Sequence, residues 1–139
     1  MASIATLERL AKYDDPKEGL FKELGDISAI EAFANRLLVA IYIGPEYDKR
    51  TKLFRAPGAL KEDIYQGTVG LIVKKGPTAF VDDEKHVFND CKAEIGDWVM
   101  FRPGDGKRIQ FNGVDCRWLE DLDIDGKIGD PEIITYRSS

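Results

Sequence analysis

From about residue 30 onward, short apolar runs alternate with turn-forming residues along the chain. Seven runs have the length and composition of strands; they are residues 37–43, 68–74, 98–102, 107–111, 114–119 and, more weakly, 121–124 and 133–136. Asn112-Gly113 between two of them is a strong hairpin signal. Many short strands with frequent turns predict an all-β protein, an antiparallel barrel or sandwich.

The first 30 residues follow a different pattern. Residues 3–12 predict a short helix with Ser3 as its cap, because their apolar positions recur at helical spacing. A second apolar group follows at residues 20–24. These apolar side chains must be buried, either on the same domain or on a neighbour. We therefore predict an N-terminal helical arm whose partner-binding side chains are Ile4, Leu7 and Leu10.

Two long stretches do not match the strand pattern, residues 44–66 and residues 77–94. Loops of this length in a compact domain are usually functional. In the first of them we predict a partner-binding segment at Leu53, Phe54 and Arg55. The predicted organisation is a helical arm at residues 1–30, a β-barrel at residues 31–125 and a C-terminal tail at residues 126–139.

Composition narrows the class of protein. The chain has 139 residues, of which 43% are hydrophobic, as expected for one globular domain. The net charge of −5 argues against a nucleic-acid binder, and the basic cluster at residues 49–55 is flanked by acids. The apolar runs are too short for a membrane helix, and the N-terminus lacks the pattern of a signal peptide. We expect neither nucleic acid nor membrane as a partner.

Residues with catalytic chemistry are sparse and scattered. His86 is the one histidine and lies in a polar stretch, where a solvated side chain is the simpler interpretation. Cys91 and Cys116 are not arranged as a zinc motif and are expected to be reduced thiols. No phosphate-binding or nucleophile motif is present in the sequence. We therefore predict a protein that is not an enzyme and uses no cofactor.

One segment matches a metal-binding pattern letter by letter. Asp121, Asp123, Asp125 and Glu132, with Gly126 between them, fit the spacing of the EF-hand calcium loop. Its context favours a structural role: Pro131 precedes the last ligand, few residues remain for an exiting helix, and the upstream segment has a strand pattern. The alternation at residues 121–124 is typical of a half-buried strand. We expect no metal here, with calcium as the alternative.

The order of the predicted elements resembles the GroES co-chaperonin family. Residues 36–39 (RLLV) occupy the place of the family's opening strand, and residues 66–69 (QGTV) follow a long loop. Residues 94–101 (EIGDWVMF) are similar to the family's "KVGDIVIF", and residues 119–124 resemble its terminal strand. The resemblance implies a small GroES-like antiparallel β-barrel, assembly into a homo-oligomer, and a protein partner held through the mobile loop.

The loop departs from the family pattern in a way that bears on function. The family's paired glycines and apolar triplet are replaced here by residues 51–57 (TKLFRAP). Arg55 and Pro57 reduce both backbone freedom and apolar docking. The variant most resembles phage and prophage GroES-like proteins. We expect a virion structural protein that decorates or cements a capsid; the alternative is a phage-type co-chaperonin that caps a chaperonin. The expected location is the virion or the host cytoplasm.

Overall fold

The computed structural model of the protein describes residues 4–44, 47–48, 53–54 and 68–133. Two helices come first, α1 (Ile4–Ala11) and α2 (Pro16–Leu24). The strands follow: β1 (Arg36–Ile41), β2 (Tyr47–Asp48), β3 (Leu53–Phe54), β4 (Val69–Lys75), β5 (Trp98–Met100), β6 (Lys107–Phe111), β7 (Val114–Glu120) and β8 (Gly126–Ile128). Short 3₁₀ helices at Asp121–Asp123 and Pro131–Ile133 flank β8. The all-β prediction is confirmed.

Six strands form one antiparallel sheet in the order β6-β7-β1-β4-β5-β8. The apolar strand β1 lies between β7 and β4, with Ile41 opposite Gly70 and Arg36 opposite Glu120. A bulge in β4 shifts the register after Leu38. β2 and β3 pair only with each other, as a second two-stranded sheet.

The main sheet is strongly curved. β7 and β8 are four positions apart in the sheet, yet residues 121–125 join them. Four strand spacings amount to roughly 19 Å in a flat sheet. Five residues that include a 3₁₀ turn cannot cover that distance, because such a turn advances only about 2 Å per residue. The connection of β5 to β6 through residues 101–106 crosses the same four positions.

The helices cover one face of this sheet. Leu20 and Leu24 of α2 are fully buried against β-strand side chains, and Leu10 of α1 joins the same cluster. Arg9 pairs with Glu23 at 2.7 Å, which ties the two helices together. The Asn112 side chain donates to the Leu24 carbonyl at 2.5 Å and so caps the end of α2. The helical region therefore packs on the chain's own sheet.

The opposite face is covered by an irregular segment, residues 76–97. Phe80 and Ala93 are buried there against Val39, Ile72 and Leu119 of the sheet. As predicted from the sequence, this stretch contains no strand. It folds instead through turns in which several non-glycine residues have a positive φ, among them Phe80 at 59°.

Three local predictions were wrong. Residues 121–124 do not form a strand, because Asp121–Asp123 is a 3₁₀ helix whose Asp123 carboxylate accepts the Glu120 amide at 2.8 Å. The predicted tail contributes β8, paired with β5. The stretch 44–66, expected to lack strands, contains β2 and β3.

Neither of the helices in the described ranges is long and apolar enough to cross a membrane.

Candidate functional site

A buried carboxylate joins three segments at one end of the sheet. Asp121 is only 5% exposed, and its two oxygens accept from the Asn35 side chain at 3.0 Å and from the Phe80 amide at 2.9 Å. The Asp121 amide in turn donates to the Asn35 carbonyl at 3.1 Å. This Asp121 junction fixes the turn before β1, the irregular segment and the end of β7 relative to one another.

Close backbone packing reinforces the Asp121 junction. The Gly76 amide donates to the Arg36 carbonyl at 2.8 Å, and the Thr78 amide donates to the Ala34 carbonyl at 3.0 Å. A Cβ on Gly76 would collide with the Ala34 carbonyl oxygen, so this position requires glycine. Arg36 also pairs with Glu120 at 3.0 Å across β1 and β7. The junction is thus a platform joined by side-chain and backbone hydrogen bonds.

Each segment of this platform presents an exposed apolar side chain next to its bonded residues. Phe33 is 70% exposed, Val81 51% and Leu122 51%. Single exposed apolar residues are ordinary on a protein surface, but three on segments tied together by one carboxylate are a candidate interaction site. We call Phe33, Val81 and Leu122 the junction patch.

The surroundings of the junction patch are acidic. Glu31, Asp82 and Glu84 are exposed and lie within three positions of a patch residue. The amides of Lys85 and His86 donate to the Asp83 carboxylate at 2.8 and 2.7 Å, and these bonds, that of His86 first, lower the pKa of Asp83 below its ordinary value. The residues next to Phe33 and Val81 in the chain therefore include several exposed acids, while Lys85 and Lys75, the latter over the Phe80 ring at 5.7 Å, are cations in the same region.

A buried arginine holds the crossing between β5 and β6. Arg117 is 2% exposed; its guanidinium donates to the carbonyls of Arg102, Pro103 and Asp105 and lies over the Phe101 ring at 5.3 Å. Burial, and then the nearby positive charge of Arg108, lowers the pKa of Arg117. These carbonyl contacts assign Arg117 a structural role in fixing the turn.

The predicted loop site lies in the β1–β4 connection, which leaves β1 at the end opposite the Asp121 junction. Leu53 and Phe54 form β3, opposite Asp48 and Tyr47 of β2. Arg55 lies outside the described residues. The structure thus places the two apolar residues in a hairpin-like pair of strands that is separate from the main sheet.

The structure describes only one of the three side chains of the predicted arm site. Ile4 and Leu7 belong to α1, and their side chains lie outside the described part of the structure. Leu10 is buried in the cluster between the helices and the sheet. Its side chain fills the chain's own core, so the structure corrects the prediction that Leu10 faces a partner.

The calcium pattern does not form an EF-hand loop. Asp121 is engaged in the junction, Asp123 accepts the Glu120 amide, and residues 126–128 of the pattern are extended in β8. Asp125 is exposed, and Glu132 lies in the following 3₁₀ helix. Among the described residues, no group of three or more acidic, histidine or cysteine side chains could hold a metal ion.

His86 and the cysteines occupy different settings. His86 is near the surface, with its Nδ1 3.7 Å from the Asp83 carboxylate. Cys91 is exposed and Cys116 is buried, and both thiols are free. Burial, with a smaller effect of the Asp115 charge, raises the pKa of Cys116 to about 12, which makes this thiol a poor nucleophile.

The junction patch was not predicted from the sequence. Asn35 and Asp121 are far apart in the chain, and Phe80 belongs to a stretch without periodicity, so no local signal connects them. The acidic residues beside Val81 are the one feature of the sequence that points to the junction patch. No protein-family model matches the chain, and a search of curated proteins found no significant match.

Proposed function

We propose that the protein is a non-enzymatic assembly protein that joins protein subunits through the connection between β1 and β4. One observation carries this proposal. β1 and β4 are adjacent antiparallel strands, and such neighbours need only two to five residues to connect them. Residues 42–68 connect them instead and include a separate two-stranded sheet. A connection of this length within a compact domain is usually functional.

The finer fold that we propose is a small GroES-like β-barrel. The two short crossings, from β5 to β6 and from β7 to β8, support it because they require the sheet to curl. The described strands pair in a linear order, with β6 and β8 at the edges. Curling of this degree brings the two edges towards each other, as closure of a barrel requires.

Within this class we favour a phage virion protein that decorates or cements a capsid. The basic, proline-containing sequence of residues 51–57 suits a specific contact better than a flexible apolar one. The exposed apolar residues of the junction patch, beside the hydrogen-bonded Asp121 junction, are a candidate for the second contact surface that a subunit between two neighbours needs. The second candidate is a phage-type co-chaperonin, favoured by the long connection itself.

Mass photometry of the full chain distinguishes these candidates. A decoration protein is expected to remain small alone and with chaperonin plus nucleotide, and to cosediment with expanded capsids. A co-chaperonin is expected to form a ring and to bind the chaperonin when nucleotide is present. The variant Leu53→Ser/Phe54→Ser should lose partner binding in either case. Val87→Ser, at an exposed residue of the irregular segment, is the matched control. Partner binding that is identical in both variants would refute the role of the β1–β4 connection.

A further inference from the structure

The turn between β6 and β7 holds the end of α2 on the sheet. The Asn112 side-chain amide donates to the carbonyl of Leu24, the last residue of α2, at 2.5 Å. Leu24 is fully buried, so water cannot take the place of this donor. The neighbouring acceptor, the Phe21 carbonyl, is satisfied by the Gly25 amide at 3.1 Å. The Asn112 amide thus completes the hydrogen bonding at the C-terminus of α2.

The residue that follows Asn112 makes this amide chemically labile. Gly113 has no Cβ, so its backbone nitrogen approaches the Asn112 side-chain carbon with the least steric hindrance. Attack of this nitrogen on Cγ forms a cyclic imide; the Cγ–Nδ2 bond breaks, and ammonia leaves with the proton of the Gly113 amide. Water then opens the imide to aspartate or isoaspartate. In either product a carboxylate replaces the amide.

The two helices restrain this reaction while they lie on the sheet. The nitrogen that must leave, Nδ2 of Asn112, is held on the Leu24 carbonyl. Gly113 packs against the buried Thr6 of α1, since a Cβ at this glycine would lie 3.0 Å from the Thr6 Oγ1. Both turn residues have a positive φ, 52° at Asn112 and 82° at Gly113. Imide formation must break the bond to Leu24, so it proceeds mainly when the helices open from the sheet.

We propose that Asn112 is a site of spontaneous deamidation and that its product releases α1 and α2 from the sheet. A carboxylate at this position has no N–H to donate to the buried Leu24 carbonyl, and its charge lies at the negative end of the α2 dipole. Isoaspartate also lengthens the backbone of a two-residue turn. Because water does not restore the amide, the release is irreversible. It uncovers the apolar side chains beneath the helices and is independent of the proposed function.

Incubation of the full chain in mildly alkaline buffer tests the site. Mass spectrometry of the tryptic peptide 109–117, in which Asn112 is the one asparagine, should show deamidation that increases with time. The peptides that contain Asn35 and Asn89 should stay unmodified, because residues with side chains follow these asparagines. The reaction should be about tenfold or more slower in the folded chain than in denaturant, and Leu24→Ala should accelerate it. An unmodified peptide 109–117, or equal rates in the folded and unfolded chain, would overturn the proposal.

Labelling of Cys116 with iodoacetamide measures the release, because this thiol is buried in the cluster between the helices and the sheet. The deamidated wild type, separated from the intact chain by ion exchange, should label about tenfold or more faster than the intact chain. Asn112→Asp should label equally fast. The matched control is Asn89→Asp, which makes the same change at an exposed asparagine that also has a positive φ, 49°. It should label like the wild type.

A second variant separates deamidation from other effects of ageing. Asn112→Gly keeps a residue that tolerates a positive φ and has no side-chain amide to lose. Its Cys116 labelling rate should therefore be the same before and after incubation. The deamidated wild type decides the question even if Asn112→Asp fails to fold. Unchanged labelling of Cys116 in that sample, or equal acceleration by Asn89→Asp, would overturn the release of the helices.

Discussion

The two faces of the six-stranded sheet are covered by different physical means. On one face, two amphipathic helices bury leucines such as Leu20 and Leu24 in an almost wholly apolar cluster. On the other, residues 76–97 have no regular structure, and carboxylates hold their turns in place through bonds to backbone amides. A helical cover satisfies most of its own backbone hydrogen bonds, whereas the irregular cover uses side-chain acceptors for its amides, of which that of Phe80 is buried. The irregular segment also includes Val81 of the junction patch.

The largest expected effect is on the helical face. Leu24→Ala removes a fully buried side chain between α2 and the sheet and should lower the free energy of unfolding by about 2–5 kcal/mol. Urea denaturation measures this change. Leu122→Ala deletes the same groups from an exposed position in the junction patch and should change stability by less than about 0.5 kcal/mol. Equal losses for both variants would mean that the helices are not the main cover of this face.

Asp121→Ala tests the irregular face. It leaves the buried Phe80 amide and the Asn35 side chain without their acceptor, and should cost about 1–3 kcal/mol. Hydrogen exchange should show that the Phe80 amide loses protection, while the amides of α2 keep theirs. Asp125→Ala is the control, because this carboxylate is exposed. If the Phe80 amide stays protected in Asp121→Ala, the carboxylate is not what fixes the irregular segment.

The two faces also differ in how far the sequence predicts them. The helix over residues 3–12 and the main strands follow from periodicity, and the predicted 107–111 strand coincides with β6. The irregular cover has no period, and its positive-φ residues Phe80, Asn89 and Asp90 carry no glycine signal. β8 was missed because its three residues are too short to show an alternation. Local pattern predicts helices and strands, whose backbone hydrogen bonds follow a regular scheme, and fails where a distant side chain accepts those bonds instead.

The candidate site shows the same division. Leu53 and Phe54 stand out in the sequence as apolar residues among charges, and the structure places them in a strand pair outside the main sheet. Leu10 has the same apparent signal, yet it is buried in the chain's own core. Helical periodicity identifies which side chains must be buried, but it does not identify the surface that buries them. The Asp121 junction depends on a contact between residues 35 and 121, which no local window includes.

The two cysteines lie on different faces of the sheet, so at high pH each is a separate probe of the face on which it lies. Cys116 packs in the helical cluster, and burial raises its pKa to about 12 from 9.0, whereas Cys91 is exposed on the irregular side. Because the unfolded thiol ionises first, stability is fully present below pH 9 and falls as the pH rises towards 12. By pH 10 the loss should be about 1 kcal/mol. Urea denaturation between pH 8 and pH 10 measures it, and Cys116→Ala should show a correspondingly smaller slope.

Thiol labelling gives the matching kinetic test. At about pH 8 the folded chain should react with iodoacetamide at Cys91 alone, and both thiols should react after unfolding in urea. Leu24→Ala should speed the labelling of Cys116, because it weakens the cover of that face, and should leave the rate at Cys91 unchanged. Rapid labelling of Cys116 in the folded wild type would mean that the helices open readily from the sheet.

The smallest expected effect is a local one at low pH on the irregular face. Asp83 has a pKa below its ordinary 3.8 because its carboxylate accepts amides from His86 and Lys85. A depressed folded pKa stabilises the turn above the unfolded value, and this contribution is lost as the pH falls from about 3.8 through the lower folded pKa. Amide exchange at Lys85 and His86, corrected for its intrinsic pH dependence, should therefore accelerate in that range. Asp83→Asn should show little of this pH dependence, and Glu84→Gln, beside it, should keep all of it. If the two variants behave alike, packing against the sheet holds the turn, and the Asp83 carboxylate does not. The contrast between helices that satisfy their own backbone hydrogen bonds and a segment held by carboxylates then does not extend to this part of the segment.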